Sequence, residues 1–399
     1  MRKAGNRIRV TAQLINAMDG YHIWSETYNR NLEDIFEIQD DIAKAIANRL
    51  RENLSTDQHE AKLAVAPTAN LEAYKKYVHG LQLLDKAEPD QRDLAMKLLS
   101  EAVKMDAKFV NAHALLAITY AFLGETGQMP ATEAFRKAHL HADHALQTDP
   151  RNSVAMVATV TLKMAEWKWD EAFEILQQAL QINPNDAVAH MTAAEYYVLF
   201  MNWEKVLEHA TLAYQLDPLS ANTMGETARH YLTAGKPKEA LRLADDALRL
   251  DPHNLVARSI RAYAEEMLGN PQEALRQMLE TYEMTGEHPL MLMGIGYVYA
   301  RMNEKEKVRE IILKIEAMQQ QAPESHLDYI LAVLYANVGD MEKFHLTYDR
   351  AIERKAEWIV KFYGAESFRP VWYDDRVVAS RRKLGLPVYT PEHQKQKTI

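Results

Sequence analysis

The chain has 399 residues, 47% of them hydrophobic and 26% charged, with a net charge of −9 and no cysteine. That balance fits a soluble globular protein of two or three domains. It excludes disulfides and thiolate metal sites, and an acidic chain without a basic cluster is unsuited to neutralising nucleic-acid phosphates.

Residues 7–16 alternate, with Ile8, Val10, Ala12 and Leu14 on one face and Arg7, Arg9, Thr11 and Gln13 on the other. This predicts a half-buried strand. Asp19-Gly20 is a hairpin turn signal, and "YHIWSETY" reads as the return strand. From Glu33 to Leu54, Ile35, Ile38, Ile42, Ala45, Ile46 and Leu50 fall at helical spacing, interrupted by Arg49. Two strands do not make a stable sheet alone in water, so the hairpin is expected to belong to a larger domain. No apolar run approaches the roughly 18 residues of a membrane span, and residues 1–20 contain no leader-like apolar stretch. These features predict a cytoplasmic chain, or a periplasmic one if a membrane helix lies upstream.

Beyond residue 70 the sequence is periodic. Asp149-Pro150, Asn183-Pro184, Asp217-Pro218 and Asp251-Pro252 recur every 34 residues, in "HALQTDP", "QALQINP", "LAYQLDP" and "DALRLDP". Proline disfavours α geometry in the residue before it and so ends a helix. Two residues past each proline stands Asn152, Asp186, Ser220 or Asn254, side chains that cap the start of the next helix. Within the units, Gly235-Lys236-Pro237 and Gly269-Asn270-Pro271 mark a second break, and Gly124, Asn303 and Gly339 are expected to hold the same place. Small residues recur in each second helix (Ala138/Ala142/Ala145, Ala172/Ala179, Ala240/Ala244/Ala247), and aromatic ones in the first (Tyr120, Tyr197, Tyr231, Tyr299, Tyr335).

A helix–turn–helix unit of 34 residues with these marks resembles the tetratricopeptide repeat. The resemblance implies a mainly all-α, right-handed superhelix of about eight repeats over residues 71–355, with a binding face along the first helices. The amino-terminal stretch "RKAGNRIRVTAQLINAMDGYHIWSETYNRNLEDIFEIQDDIAKAI" resembles the closing half of a TolB-like α/β domain, found in bacterial signalling proteins ahead of such arrays. On that resemblance residues 1–56 are a partial TolB-like domain whose first half is missing, and 57–70 are a linker. "GAESFRPVWYDDRVVASRRKLGLP" resembles the tail that closes these arrays. Residues 356–387 are thus expected to cap the last repeat, with a disordered tail at 388–399. In such proteins the upstream part is a nucleotide cyclase, a protein kinase or a winged-helix domain. This chain carries no Gly-rich phosphate loop, GxSxG or HExxH. It reads as a non-catalytic scaffold or sensory module, with no cofactor and no metal. The alternatives are the regulatory half of a longer cyclase or kinase, or the effector half of a transcriptional regulator.

The implied groove would be lined by Tyr77, Phe122, Met191, Glu195, Arg229, Tyr263, Tyr297 and Tyr329, with Leu81, Ile118 and Met293 beside them. It reads as apolar and tyrosine-rich, with Glu195 and Arg229 as isolated charges. The lysine by which chaperone-binding relatives grip a peptide carboxylate is replaced by residues such as Tyr77, Met191 and Gly225. The expected partner is therefore a peptide or protein with apolar anchors. His139, His141 and His144 of "HLHADH" are expected to point outward rather than bind metal, and Trp167, Trp169 and Trp203 to pack between repeats. A dimer through the hairpin is a further possibility.

Overall fold

The computed structural model describes residues 2–4, 7–15, 22–31, 41, 68–85, 89–126, 128–286, 288–321, 327–390 and 393. The chain divides into two units, residues 1–74 and 75–399. In the first, three antiparallel strands lie in the order β1 (Arg2–Ala4), β2 (Arg7–Ile15), β3 (His22–Asn31). The expected hairpin is β2–β3, and β1 adds a third strand that the sequence reading lacked. In the β2–β3 register Val10 faces Tyr28 and Thr11 faces Thr27. Tyr28 is buried and Val10 half-buried, while Arg9 and Thr11 are exposed, as the alternation requires. The Thr11 and Thr27 hydroxyls are 3.0 Å apart, and Arg9 Nε donates to Asn29 Oδ1 at 2.6 Å. The expected turn at Asp19-Gly20 and most of the helix expected over 33–54 lie outside the described residues.

From Leu71 on, the described residues are mainly helical. Eight helix pairs follow in order, starting with α1 (Leu71–Asp85) and α2 (Pro89–Met105), then α3 (Val110–Glu125) and α4 (Ala131–Thr148). Next come α5 (Ser153–Ala165) with α6 (Trp169–Ile182), and α7 (Ala187–Leu199) with α8 (Trp203–Leu216). The fifth and sixth pairs are α9 (Ala221–Thr233) with α10 (Pro237–Leu250), and α11 (Leu255–Met267) with α12 (Pro271–Thr285). Last are α13 (Pro289–Arg301) with α14 (Lys305–Gln321), and α15 (Asp328–Val338) with α16 (Met341–Glu353).

The repeat marks do the local work assigned to them. Asn152, Asp186, Ser220 and Asn254 each accept a backbone N–H two or three residues on, at 2.9–3.1 Å. His288, the next residue in that register, caps through Nδ1 at 3.3 Å from Leu290 N. The alanines at 138, 142, 145, 172, 179, 240, 244 and 247 are buried to 1% exposure or less. A methyl there is the largest group that leaves room for the neighbouring helix.

The turn inside each repeat needs a left-handed residue, and it falls at 167, 201, 235, 269 and 303, again 34 apart. Gly235, Gly269 and Asn303 suit that geometry. Trp167 (φ 64°) and Met201 (φ 52°) hold it without glycine. Gly124 does not. It lies inside α3, where an added Cβ would stand 2.9 Å from the Ala134 methyl. Its role is close helix contact, because the longer second repeat moves the turn beyond it.

The carboxy-terminal segment comprises α17 (Glu357–Lys361), two 3₁₀ turns (Phe362–Gly364, Glu366–Val371) and α18 (Asp375–Lys383). It packs on the last repeat: His345 Nε2 bonds Asp374 Oδ2 at 2.8 Å, and Asn337 Nδ2 donates to Ser367 O at 2.7 Å. It does more than cap that repeat. Arg381 Nη2 donates to Leu199 O at 2.8 Å, and Trp169 Nε1 donates to Leu384 O at 3.1 Å. The end of the chain thus returns to the third and fourth repeats. Order also runs further than the sequence suggests, since Tyr389 is buried and stacks on Trp372 with ring centroids 3.7 Å apart.

Candidate functional site

The first helices bring together one register position from successive repeats: Glu195, Arg229, Tyr263 and Tyr297, spaced by 34 residues. Neighbours in this ladder meet in pairs. Arg229 pairs with Glu195 through Nη2, and its Nε donates to Glu226 Oε2 at 2.7 Å. His230 Nε2 lies 3.4 Å from Glu195 Oε1. Tyr263 and Tyr297 have ring centroids 5.8 Å apart. Tyr297 donates to Glu266 Oε2 at 2.9 Å, and Arg301 Nε donates to Glu266 Oε1 at 2.6 Å.

Glu195 and Arg229 are therefore not isolated charges in an apolar groove. They are the centre of a polar cluster that the sequence reading missed, because Glu226 and Glu266 sit outside the positions it inspected. Their signal was there: Glu226 is three residues before Arg229, the spacing of neighbours on one helix face. The cluster is poorly solvated. Burial pushes the Glu226 carboxyl up to about 7, against the pull of Lys361, and Arg229 down to about 10. Burial holds His230 well below its ordinary range, helped by Arg229 and Lys361.

Of the other groove candidates, Tyr297, Met293 and Tyr329 are withdrawn from solvent, at 4%, 5% and 1% exposure. They pack between helices and offer no ligand-facing surface in this form, which corrects their assignment to the groove. The reason is local: the first helices of the last two repeats are apolar on most sides and are enclosed by neighbours. Tyr77, Phe122, Met191 and Tyr263 stay half-exposed, as does Ile118. Tyr77 lies against Phe109 (4.9 Å), and the Arg92 guanidinium sits 4.5 Å above the Phe122 ring. Leu81 is exposed.

The histidines do not simply face solvent. His141 Nδ1 is 2.8 Å from His113 Nδ1, and its ring stacks on Tyr120. His144 Nε2 lies 2.6 Å from Ala107 O, and His139 pairs with Glu166 at 2.7 Å. The arrangement recurs two repeats on, with His190 and His209 joined Nδ1 to Nδ1 at 2.9 Å and Tyr197 stacked on His209. Among the described residues no group of three or more His, Asp or Glu can hold a metal ion. Trp169 and Trp203 are buried, but against the carboxy-terminal segment: an added Cβ at Gly364 would meet the Trp203 ring at 2.6 Å.

No family model matches the chain. A curated protein of Rhizobium meliloti named "Putative adenylate cyclase 3" is 35% identical over 118 residues, which are 30% of this chain and 20% of that protein. The match thus spans a fifth of the relative's length. Among solved structures, the human IFIT1 dimer with m7Gppp-AAAA aligns over 81% of this chain and 80% of its own, with TM-score 0.51 and 16% identity. A tetratricopeptide repeat protein of Parabacteroides merdae aligns over 66% of this chain and 98% of its own, with TM-score 0.44 and 19% identity. No helix among the described residues is long and apolar enough to cross a membrane. The helical unit is a solenoid of the tetratricopeptide type, with its caps, left-handed turns and alanine contacts all in a 34-residue register.

Proposed function

We propose that this chain is a non-catalytic interaction module that binds a peptide or protein segment along its first helices, as the scaffolding or sensory part of a bacterial signalling protein. The observation that supports this best is the partly buried cluster Glu195–Arg229–Glu226, with Met191 on the same helix as Glu195 and Tyr263 on the next first helix, α11. A surface with both charge signs beside apolar side chains suits a segment with an apolar anchor and a polar partner, not a bare acidic tail.

The partial match to the Rhizobium meliloti protein favours a second reading, in which the chain is the regulatory part of a longer cyclase. On either reading we take the β-sheet as the closing part of a TolB-like domain. The strand alternation and the residues quoted above support that assignment. Sequencing the in-frame DNA on the 5′ side of Met1 discriminates: a cyclase domain supports the second reading, and a stop codon removes it.

The binding reading is tested by panning a displayed peptide library against the full chain. Met191→Ala and Tyr263→Ala should each weaken selected peptides by about 1–2 kcal/mol. Peptides that bind both variants as well as the parent would place the ligand elsewhere.

A further inference from the structure

We propose that the carboxy-terminal segment is a releasable clasp that joins the last repeat to the third and fourth and closes the first-helix face. One side of the segment is built to stay. Tyr363, Phe368, Val371, Trp372 and Val377 are 3% exposed or less and form one cluster with Phe344 and Tyr348 of the last repeat. The other side is held by hydrogen bonds to backbone carbonyls and by the Trp169 and Trp203 rings, which belong to the same buried cluster. Arg381 reaches the carbonyl of Leu199, the last residue of α7, where the helix dipole presents partial negative charge. In return Trp169 donates to Leu384 O, at the end of α18. Lys355 Nζ donates to Glu166 O at 3.4 Å, and Gly364 lets the Trp203 ring approach.

Two features favour release. Arg381 is 2% exposed, and its hydrogen bonds go to three backbone carbonyls, Leu199, Val360 and Pro387, with the guanidinium over the Tyr363 ring at 4.1 Å. No carboxylate pairs with it among the described residues, so its burial is incompletely compensated. Lys355, where the segment leaves α16, holds φ 52°, a strained left-handed geometry for a side chain with a Cβ. The clasp also meets a helix of the candidate site, since Arg381 bonds the last residue of α7, which carries Met191 and Glu195. What the clasp would regulate rests on the function proposed above; the clasp itself rests on the contacts.

The absence of native cysteine permits a direct test on the full chain. Lys168 and Lys383 are exposed and flank the Trp169–Leu384 contact. Spin labels on Lys168→Cys/Lys383→Cys should report a dominant short distance by pulsed electron resonance. Arg381→Ala should raise the ratio of long- to short-distance molecules about tenfold or more, the effect of losing one charged hydrogen bond, and Gly364→Val, whose side chain would meet the Trp203 ring, should raise it as well. Far-UV circular dichroism should stay within a few per cent of the parent. A short distance retained in both variants overturns the proposal. So does loss of repeat helicity together with the short distance, since the segment would then be part of the fold and not a clasp. Neither readout uses a ligand, so a failure of the binding reading leaves this result distinct.

Discussion

At the residue scale, the turn position of each repeat shows what a sequence pattern conveys and what it hides. Glycine at 235 and 269 announced a left-handed residue, whereas Trp167 and Met201 meet the same demand with no such sign. Only the 34-residue register reveals them, because packing of the two large side chains offsets the strain. Asn303 lies between these cases, exposed and at φ 63°. Asn303→Ala should destabilise the chain by about 1 kcal/mol, and Asn303→Gly should leave it equal or slightly more stable. Urea titrations of both variants check this, and equal midpoints would contradict it.

The histidine pairs belong to the same scale. Burial, then His141 and His144, lower His113 to about 4, and burial lowers His141 as well. A folded-state value below the ordinary one of about 6.5 favours the neutral ring. Its contribution is therefore full above pH 6.5 and is lost as pH falls toward 4. About 1–3 kcal/mol should disappear over that window. His113→Gln, which takes up no proton, should flatten the dependence of the thermal midpoint on pH between 6.5 and 4.5. An unchanged slope would show that the pair does not control it.

At the element scale, the helix pairs were legible because their signals are short-range and repeated. Proline, cap and alanine each act within one turn or one helix contact, and each recurs. Ala247 is fully buried in α10, so Ala247→Trp should cost about 1–3 kcal/mol or more through overpacking, read as a lower circular-dichroism midpoint. A midpoint equal to the parent's would mean that α10 does not face its neighbours through that methyl. The polar cluster was half legible. Glu195 and Arg229 stood out by register, but the carboxylates that share Arg229 and Arg301 come from offset positions on the same and adjacent helices. Tyr297 and Tyr329 misled for a related reason: register assigns a residue to a face but does not say how deeply neighbouring helices cover it.

At the scale of the molecule, the return of the chain end to the third and fourth repeats was not legible at all. Arg381 and Leu199 are 182 residues apart, and nothing local in "SRRKLG" distinguishes an arginine aimed at a distant helix end from one in water. Such contacts follow from the cumulative turn of many stacked repeats, which local patterns do not encode. They also define the account as a whole: a repeat array with a partly exposed charged and apolar face, and the proposed carboxy-terminal clasp over it. The most direct test is fluorescence-anisotropy titration of one library-selected peptide into the full chain and into Arg381→Ala. Freeing the face should tighten binding by about tenfold, with Met191→Ala weakening it in both backgrounds. Equal affinity in the parent and in Arg381→Ala would contradict the claim that the clasp covers the binding face.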